Sequence, residues 1–152
     1  MRRLRLLRIQ DVTHLCKHLG SSLNELAHLC LKPEWYYRQG PRRIKGKTRH
    51  IATPEGRLRQ ILDRLQALLQ RVVLPESIHG GVKGHSPRTN AVVHLRKPVV
   101  LCMDIKDFFP SITNRRVYAM FRETLKCAPD VARILTRLCT LNGSLPQGSP
   151  TS

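Results

Sequence analysis

The sequence predicts an α+β fold, rich in helix, with one β-hairpin and one central buried strand. Three observations carry that reading. Residues 54–74, "PEGRLRQILDRLQALLQRVVL", place Leu58, Ile61, Leu62, Leu65, Leu69 and Val72 on one face, with arginines and glutamines opposite. Residues 42–53, "RRIKGKTRHIAT", alternate small apolar and basic side chains around Gly46, the pattern of a hairpin with a tight turn. Residues 99–105 form an uninterrupted apolar run, β-branched at its start and bounded by Pro98, as a strand buried on both faces does.

The remaining elements follow in order. Ser22 stands three residues before Glu25 as a capping box, with Leu26, Leu29 and Cys30 at helical spacing behind it, and residues 12–19 form its partner helix. Beyond the long helix, "HGGVKGHSPRTNA" gathers Gly80, Gly81, Gly84 and Pro87 and predicts a loop, and "AVVHLRK" starts a short helix. Thr113 caps a helix that turns Val117, Met120 or Phe121, and Leu125 inward, and Pro129 occupies the first turn of a last one, "PDVARILTRLCTL". The chain then runs "NGSLPQGSPTS".

Charge narrows the function. The 152 residues carry 27 Lys and Arg against 10 Asp and Glu, a net charge of +17 spread along the chain. Solubility asks for only about 2 to 8 in a small domain, so a polyanion, nucleic acid first, is the expected partner. Five cysteines, odd in number and widely spaced, predict reduced thiols and a cytoplasmic protein, and no stretch reads as a signal peptide or membrane span. His14, Cys16, His18, His28 and Cys30 are of zinc-ligand type but lack a Cys-x-x-Cys knuckle, and Cys16 falls off the His14 and His18 face, so no zinc site is expected.

At the end of the apolar run, Val100, Cys102 and Asp104 share a face, which sends the Asp104 carboxylate out at the strand's carboxyl end. A lone carboxylate repels phosphate. Mg²⁺ resolves the conflict, because it takes oxygens from one or two carboxylates and from the substrate's phosphates. Asp104, with the Ile105 carbonyl beside it, is therefore a metal-ligand candidate, the alternative being a capping or lone surface aspartate.

These residues, "MDIKDFFPSI", resemble the first catalytic motif of bacterial reverse transcriptases of the retron type, related to those of group II introns. Three more segments are similar to that family in the same order: "GKTRHIATP" to the fingers hairpin, "HGGVKGHSPRTNAVVH" to the motif that follows it, and "GSLPQGSPTS" to the motif beside the nucleotide base. The resemblance implies the fingers and first half of the palm of a right-hand polymerase: an N-terminal helical segment over 1–35, fingers over 36–97 and a partial palm over 98–152. It implies RNA-directed DNA synthesis by two Mg²⁺ ions, with an RNA template, a DNA or RNA primer and deoxynucleoside triphosphates as partners.

Carried onto this chain, the resemblance makes Asp104 the catalytic aspartate and metal ligand, with Ile105 as co-ligand. It makes Arg49 and Lys47 contacts of the triphosphate, Phe109 the gate against a ribose 2′-hydroxyl, and Gln147 and Gly148 the nucleotide-binding loop. Phe108 is expected in the core. Arg42, Arg43, Lys45, Lys83 and Arg88 are expected to meet nucleic acid. Asp107 takes no catalytic role, and a local hydrogen bond or a salt bridge is expected of it. Asn90 and His94 fit the retron-type signature, and a structural hydrogen bond serves them equally well. Gly81, His85 and Pro87 depart from the family's usual residues.

The family's Tyr-x-Asp-Asp turn, which carries two further carboxylates, is not in this sequence. The expectation is thus an N-terminal fragment or one half of a split enzyme, inactive by itself, completed by a second polypeptide or a C-terminal half. The alternative is a catalytically inactive RNA-binding remnant. Residues 145–152 are expected to leave the palm sheet with an unpaired edge.

Overall fold

A computed structural model describes residues 8–44 and 46–152. Lys45, one of the predicted nucleic-acid contacts, lies outside the described residues. The order is α1 (Val12–Leu19), α2 (Leu23–Leu31), a 3₁₀ turn (Pro33–Tyr36), β1 (Tyr37–Ile44), β2 (Lys47–Pro54), α3 (Gly56–Leu69), α4 (Pro87–Val92), α5 (Phe108–Ser111), α6 (Asn114–Ala119) with a π turn (Met120–Thr124), and α7 (Pro129–Cys139).

The amphipathic helices assemble as their periodicity dictates. α7 buries Val131, Ala132, Leu135, Leu138 and Cys139 and packs on α1, α2, α3 and α6. α3 contributes Leu58, Ile61, Leu62, Leu65 and Leu68, and α1 and α2 contribute Leu15, Leu19, Leu26 and Leu29 to the same buried cluster, which runs from Ile9 to Leu141. Each such side chain contributes about 1.5 to 3 kcal/mol by leaving water, so this stripe-to-stripe packing holds the helical part together.

Helix ends are fixed by their own residues. Asp11 accepts the His14 N–H at the start of α1. Gly20 closes α1 at φ +58°, where the Gly20 and Ser21 N–H groups bond the Lys17 and Cys16 carbonyls. A Cβ on Gly20 would lie 1.7 Å from Nη1 of Arg64, which donates to the Leu19 carbonyl at 2.7 Å. The predicted capping box of α2 forms in half. Ser22 Oγ accepts the Glu25 N–H, but the Glu25 carboxylate turns to Arg57 of α3 (Nε to Oε1, 2.6 Å; Nη2 to Oε2, 3.1 Å). Arg57 also donates to the Gly20 carbonyl at 2.7 Å, tying the α1–α2 turn to α3.

Three expectations are corrected. Residues 99–105 are not a strand: they have no regular structure and lie exposed, Val99 at 82% and Met103 at 86%. A strand must pass its N–H and C=O groups to neighbours, and among the described residues the one ladder is the β1–β2 pair. Pro87 opens α4 instead of ending a loop, because Ser86 and Thr89 form a capping box around it, and the helix stops at Val92. Residues 145–152 are tied down: the Leu145 N–H bonds the Ile112 carbonyl, Gln66 Nε2 bonds the Pro150 carbonyl at 2.8 Å, and Pro146 and Ser149 are buried.

Thr113 stands at the N-cap of α6 without a side-chain cap bond, and the π turn brings Phe121 and Leu125 inward with Val117 while Met120 stays exposed. All five cysteines are free. Burial raises the thiol pKa of Cys16, Cys30, Cys127 and Cys139, Cys139 to about 12, so these four are neutral at pH 7, whereas Cys102 is exposed. Among the described residues no helix is long and apolar enough to cross a membrane.

Two predictions follow from the junction at Gly20. Arg57, then Ser21, holds the Glu25 carboxyl near a pKa of about 2, below its ordinary 4.5. A depressed carboxylate stabilises the fold fully above pH 4.5 and loses that contribution as pH falls toward 2. Both partners are a third exposed, so the screened contribution is about 1 kcal/mol. Glu25→Gln should therefore lower urea-melt stability by that amount at pH 7 and by almost nothing near pH 2; a pH-independent loss would contradict the ion pair. Gly20→Ala should cost about 1 to 2 kcal/mol, since it meets both a left-handed φ and the Arg64 guanidinium, and an unchanged melting temperature would show that neither matters.

Candidate nucleic-acid interface

The hairpin register decides which basic side chains meet. Arg42 lies opposite Arg49, Arg43 opposite Thr48 and Ile44 opposite Lys47, and all of these are exposed. Gly46, at φ +77°, makes the turn between the strands. Two guanidinium groups directly across an antiparallel pair repel, by some tenths of a kcal/mol to about 1. The ion pairs among the described residues are Arg38 with Glu55, Arg57 with Glu25 and Arg59 with Asp63, so no carboxylate offsets Arg42, Arg43, Lys47 or Arg49. Such a face is relieved by an anion.

Next to it sits the loop that holds Gln147 and Gly148. The Ala52 N–H of β2 bonds the Gln147 carbonyl at 2.9 Å. Gly148, at φ +114°, lets the two backbones approach: a Cβ there would stand 2.7 Å from Ile51 Cγ2 and 3.2 Å from the Ala52 carbonyl oxygen. A cleft of about 180 Å³ opens between the strands and the loop, lined by Gln39, Gly40, His50, Ile51 and Gln147. Beneath the loop the Tyr37 hydroxyl is buried beside Ser149 with no hydrogen-bond partner among the described residues, and burial pushes its pKa up to about 12. Tyr37, Ile51 and Ala52 were not foreseen as parts of this site. Only the alternation of the hairpin hinted at them, since it turns Tyr37 and Ala52 to one face.

Asp104 and Ile105 lie exposed in the irregular segment, and Asp104 makes no hydrogen bond or ion pair among the described residues. Phe109 is half-buried in α5, its ring edge-on to Phe108 at 5.6 Å. Phe108, expected in the core, is 43% exposed and edges a cavity of about 360 Å³ with Leu69, Ile112 and Met120, because no strand covers it. Among the described residues Asp107 forms no salt bridge and no side-chain cap. It adopts φ +50°, a conformation aspartate tolerates, and its carbonyl accepts the Ser111 N–H at the start of α5. Lys83 lies in the loop before α4 and Arg88 on α4, both exposed; Asn90 is on α4 and His94 just past it.

Whether Mg²⁺ fits can be judged on donors. Asp104 and the Ile105 carbonyl offer two ligand groups, and among the described residues no group of three or more His, Cys, Asp or Glu side chains converges. That is short of a two-ion site. His14 and His18 bring their Nε2 atoms to 2.9 Å on α1, and the desolvation of His18, then His14 and Arg71, lower the His18 pKa.

No family profile matches the chain. It is 37% identical over 103 residues to the retron Se72 reverse transcriptase of Salmonella heidelberg (strain 579083-10), covering 67% of this chain and 27% of that protein. It is 37% identical over 95 residues to the retron Ec86 reverse transcriptase of Escherichia coli, 62% of this chain and 27% of that one. Over 73 residues it is 41% identical to the retron Mx65 reverse transcriptase of Myxococcus xanthus, 47% of this chain and 17% of the relative. The chain thus spans between 17% and 27% of the length of these three relatives. These matches make the chain a homologue of the retron reverse transcriptases over the N-terminal portion it shares with them.

Proposed function

We propose that this chain supplies the fingers and the first half of the palm of an RNA-directed DNA polymerase. The observation that carries it is the docking of the Gln147–Gly148 loop onto β2, the strand on which Arg49 stands opposite Arg42, neither of them in an ion pair among the described residues. The division at residues 35 and 97 into helical segment, fingers and palm belongs to the same reading.

In this reading Arg49 and Lys47 hold the triphosphate and fix positive charge where negative charge develops, as charge-assisted hydrogen bonds do best. Gln147 and Gly148 place backbone against the nucleotide. Phe109 excludes a 2′-hydroxyl by shape, and Arg42, Arg43, Lys83 and Arg88 track template and primer phosphates. Two Mg²⁺ ions, when bound, would activate the attacking hydroxyl and stabilise the leaving pyrophosphate. Asp104 and the Ile105 carbonyl would lend them oxygens, the remaining carboxylates coming from a Tyr-x-Asp-Asp segment on this polypeptide or a second one. A second reading, an RNA-binding remnant, is favoured by the exposure of Asp104 and by the finding that, among the described residues, no three His, Cys, Asp or Glu side chains group to hold a metal.

Two measurements separate these readings. With a Tyr-x-Asp-Asp-bearing segment supplied, Asp104→Ala should cut primer extension by about 100-fold or more while RNA affinity stays within about twofold. No extension by the unaltered protein so complemented would favour the remnant, and equal loss of extension and binding would make Asp104 structural. Phe109→Ala should raise ribonucleotide incorporation relative to deoxyribonucleotide; unchanged sugar discrimination would remove the ring from the gate.

A further inference from the structure

Away from the hairpin, α6 and α7 enclose a cleft of about 300 Å³ lined by Asn114, Arg115, Tyr118, Arg133, Thr136 and Arg137. Three guanidinium groups from two helices line it, all on exposed residues. Arg133 and Arg137 stand four apart on α7, a like-charge spacing that costs a helix some tenths of a kcal/mol. None of the three forms an ion pair among the described residues. Asp130, the acidic residue nearest on α7, gives its carboxylate to the Val131 N–H at 2.8 Å. Thr136 is likewise committed, its hydroxyl donating to the Ala132 carbonyl at 2.7 Å. Tyr118, half-buried and packed against the core cluster, is the aromatic residue of the lining.

The chemistry of this cleft is specific in kind. Arginine presents a planar fork matched to phosphate oxygens, and a tyrosine in the same lining supplies the kind of ring on which a base stacks. The volume is at the lower limit for a small-molecule pocket, and its charged rim is open, which suits a strand passing across it better than an enclosed ligand. The packed helices set the spacing of the forks: α7 is anchored in the core by Val131, Leu135 and Leu138, so the arginines project from a rigid element.

We propose that the α6–α7 cleft is a second nucleic-acid contact, separate from the basic hairpin, which grips the phosphate backbone of a single RNA strand through Arg115, Arg133 and Arg137 while Tyr118 stacks a base. The choice of RNA rests on the polymerase reading above; the phosphate contact rests on the three guanidinium groups, which form no ion pair among the described residues.

The test uses the full chain and a fluorescein-labelled 20-nucleotide RNA of mixed sequence, with affinity measured by anisotropy across a salt series. Each single-strand phosphate contact contributes about 0.7 to the slope of log affinity against log salt. Arg133→Gln with Arg137→Gln should lower that slope by about 1.4 and weaken binding several-fold at low salt. Arg133→Lys with Arg137→Lys should keep the slope. Arg42→Gln with Arg49→Gln should lower it by a separate, additive amount. The charges are exposed, so the thermal melt of each variant should match the parent. An unchanged slope in the α7 glutamine pair, or an equal fall in the lysine pair, would overturn the proposal. Primer extension is not read in this assay, so failure of the polymerase reading would leave the slope change standing, and loss of the slope change would leave the Asp104 result standing.

Discussion

The burial of α7 is the constraint on which the rest of this structure depends. One face of that helix carries Val131, Ala132, Leu135, Leu138 and Cys139, and the only way to remove so much apolar surface from water is to surround it with α1, α2, α3 and α6. The consequences reach both ends of the described chain. At one end the Ala128 N–H bonds the Ile9 carbonyl and the Arg8 N–H bonds the Leu125 carbonyl, so the segment before α1 is held against the turn that leads into α7. At the other, the chain leaving α7 turns back through Leu141 and Ser144 and lies against β2. The hairpin thereby gains a neighbour that its own two strands do not provide.

Charge is arranged around that core in two different ways. At the α1–α2 turn a cation and an anion are placed to satisfy each other, Arg57 and Glu25, and they close a junction between three helices. On the hairpin and over the α6–α7 cleft, arginines face arginines and nothing on the described chain neutralises them. Paired charges serve the fold. Unpaired like charges, held close by rigid elements, raise the local positive potential that a phosphate backbone would lower, and a net charge of +17 makes that field long-ranged at low salt.

Much of this was legible in the residues. The leucines of α3 and the capping residue Ser22 act over one or two helical turns, so spacing alone reveals them. The hairpin was legible because its alternation and the glycine at its turn are local as well. What spacing could not reveal was long-range. Residues 99–105 have the composition of a buried strand, but a strand exists only where another backbone accepts its hydrogen bonds, and composition says nothing of whether one is present. Phe108 lost its expected burial for the same reason.

The candidate site divides along the same line. Sequence by itself determined which residue types are available: the basic hairpin, the Pro-Gln-Gly loop, the Asp104 carboxylate and the Phe109 ring, each recognisable from its neighbours in the chain. Only the tertiary structure decided which of them meet. It set the Gln147 carbonyl on the Ala52 N–H, and it required glycine at position 148 because Ile51 leaves no room for a Cβ. It also brought Arg115 to the arginines of α7 and left Asp104 in solvent. The physical reason is that side-chain chemistry is written residue by residue, whereas proximity between distant residues is set by which apolar surfaces must be buried together.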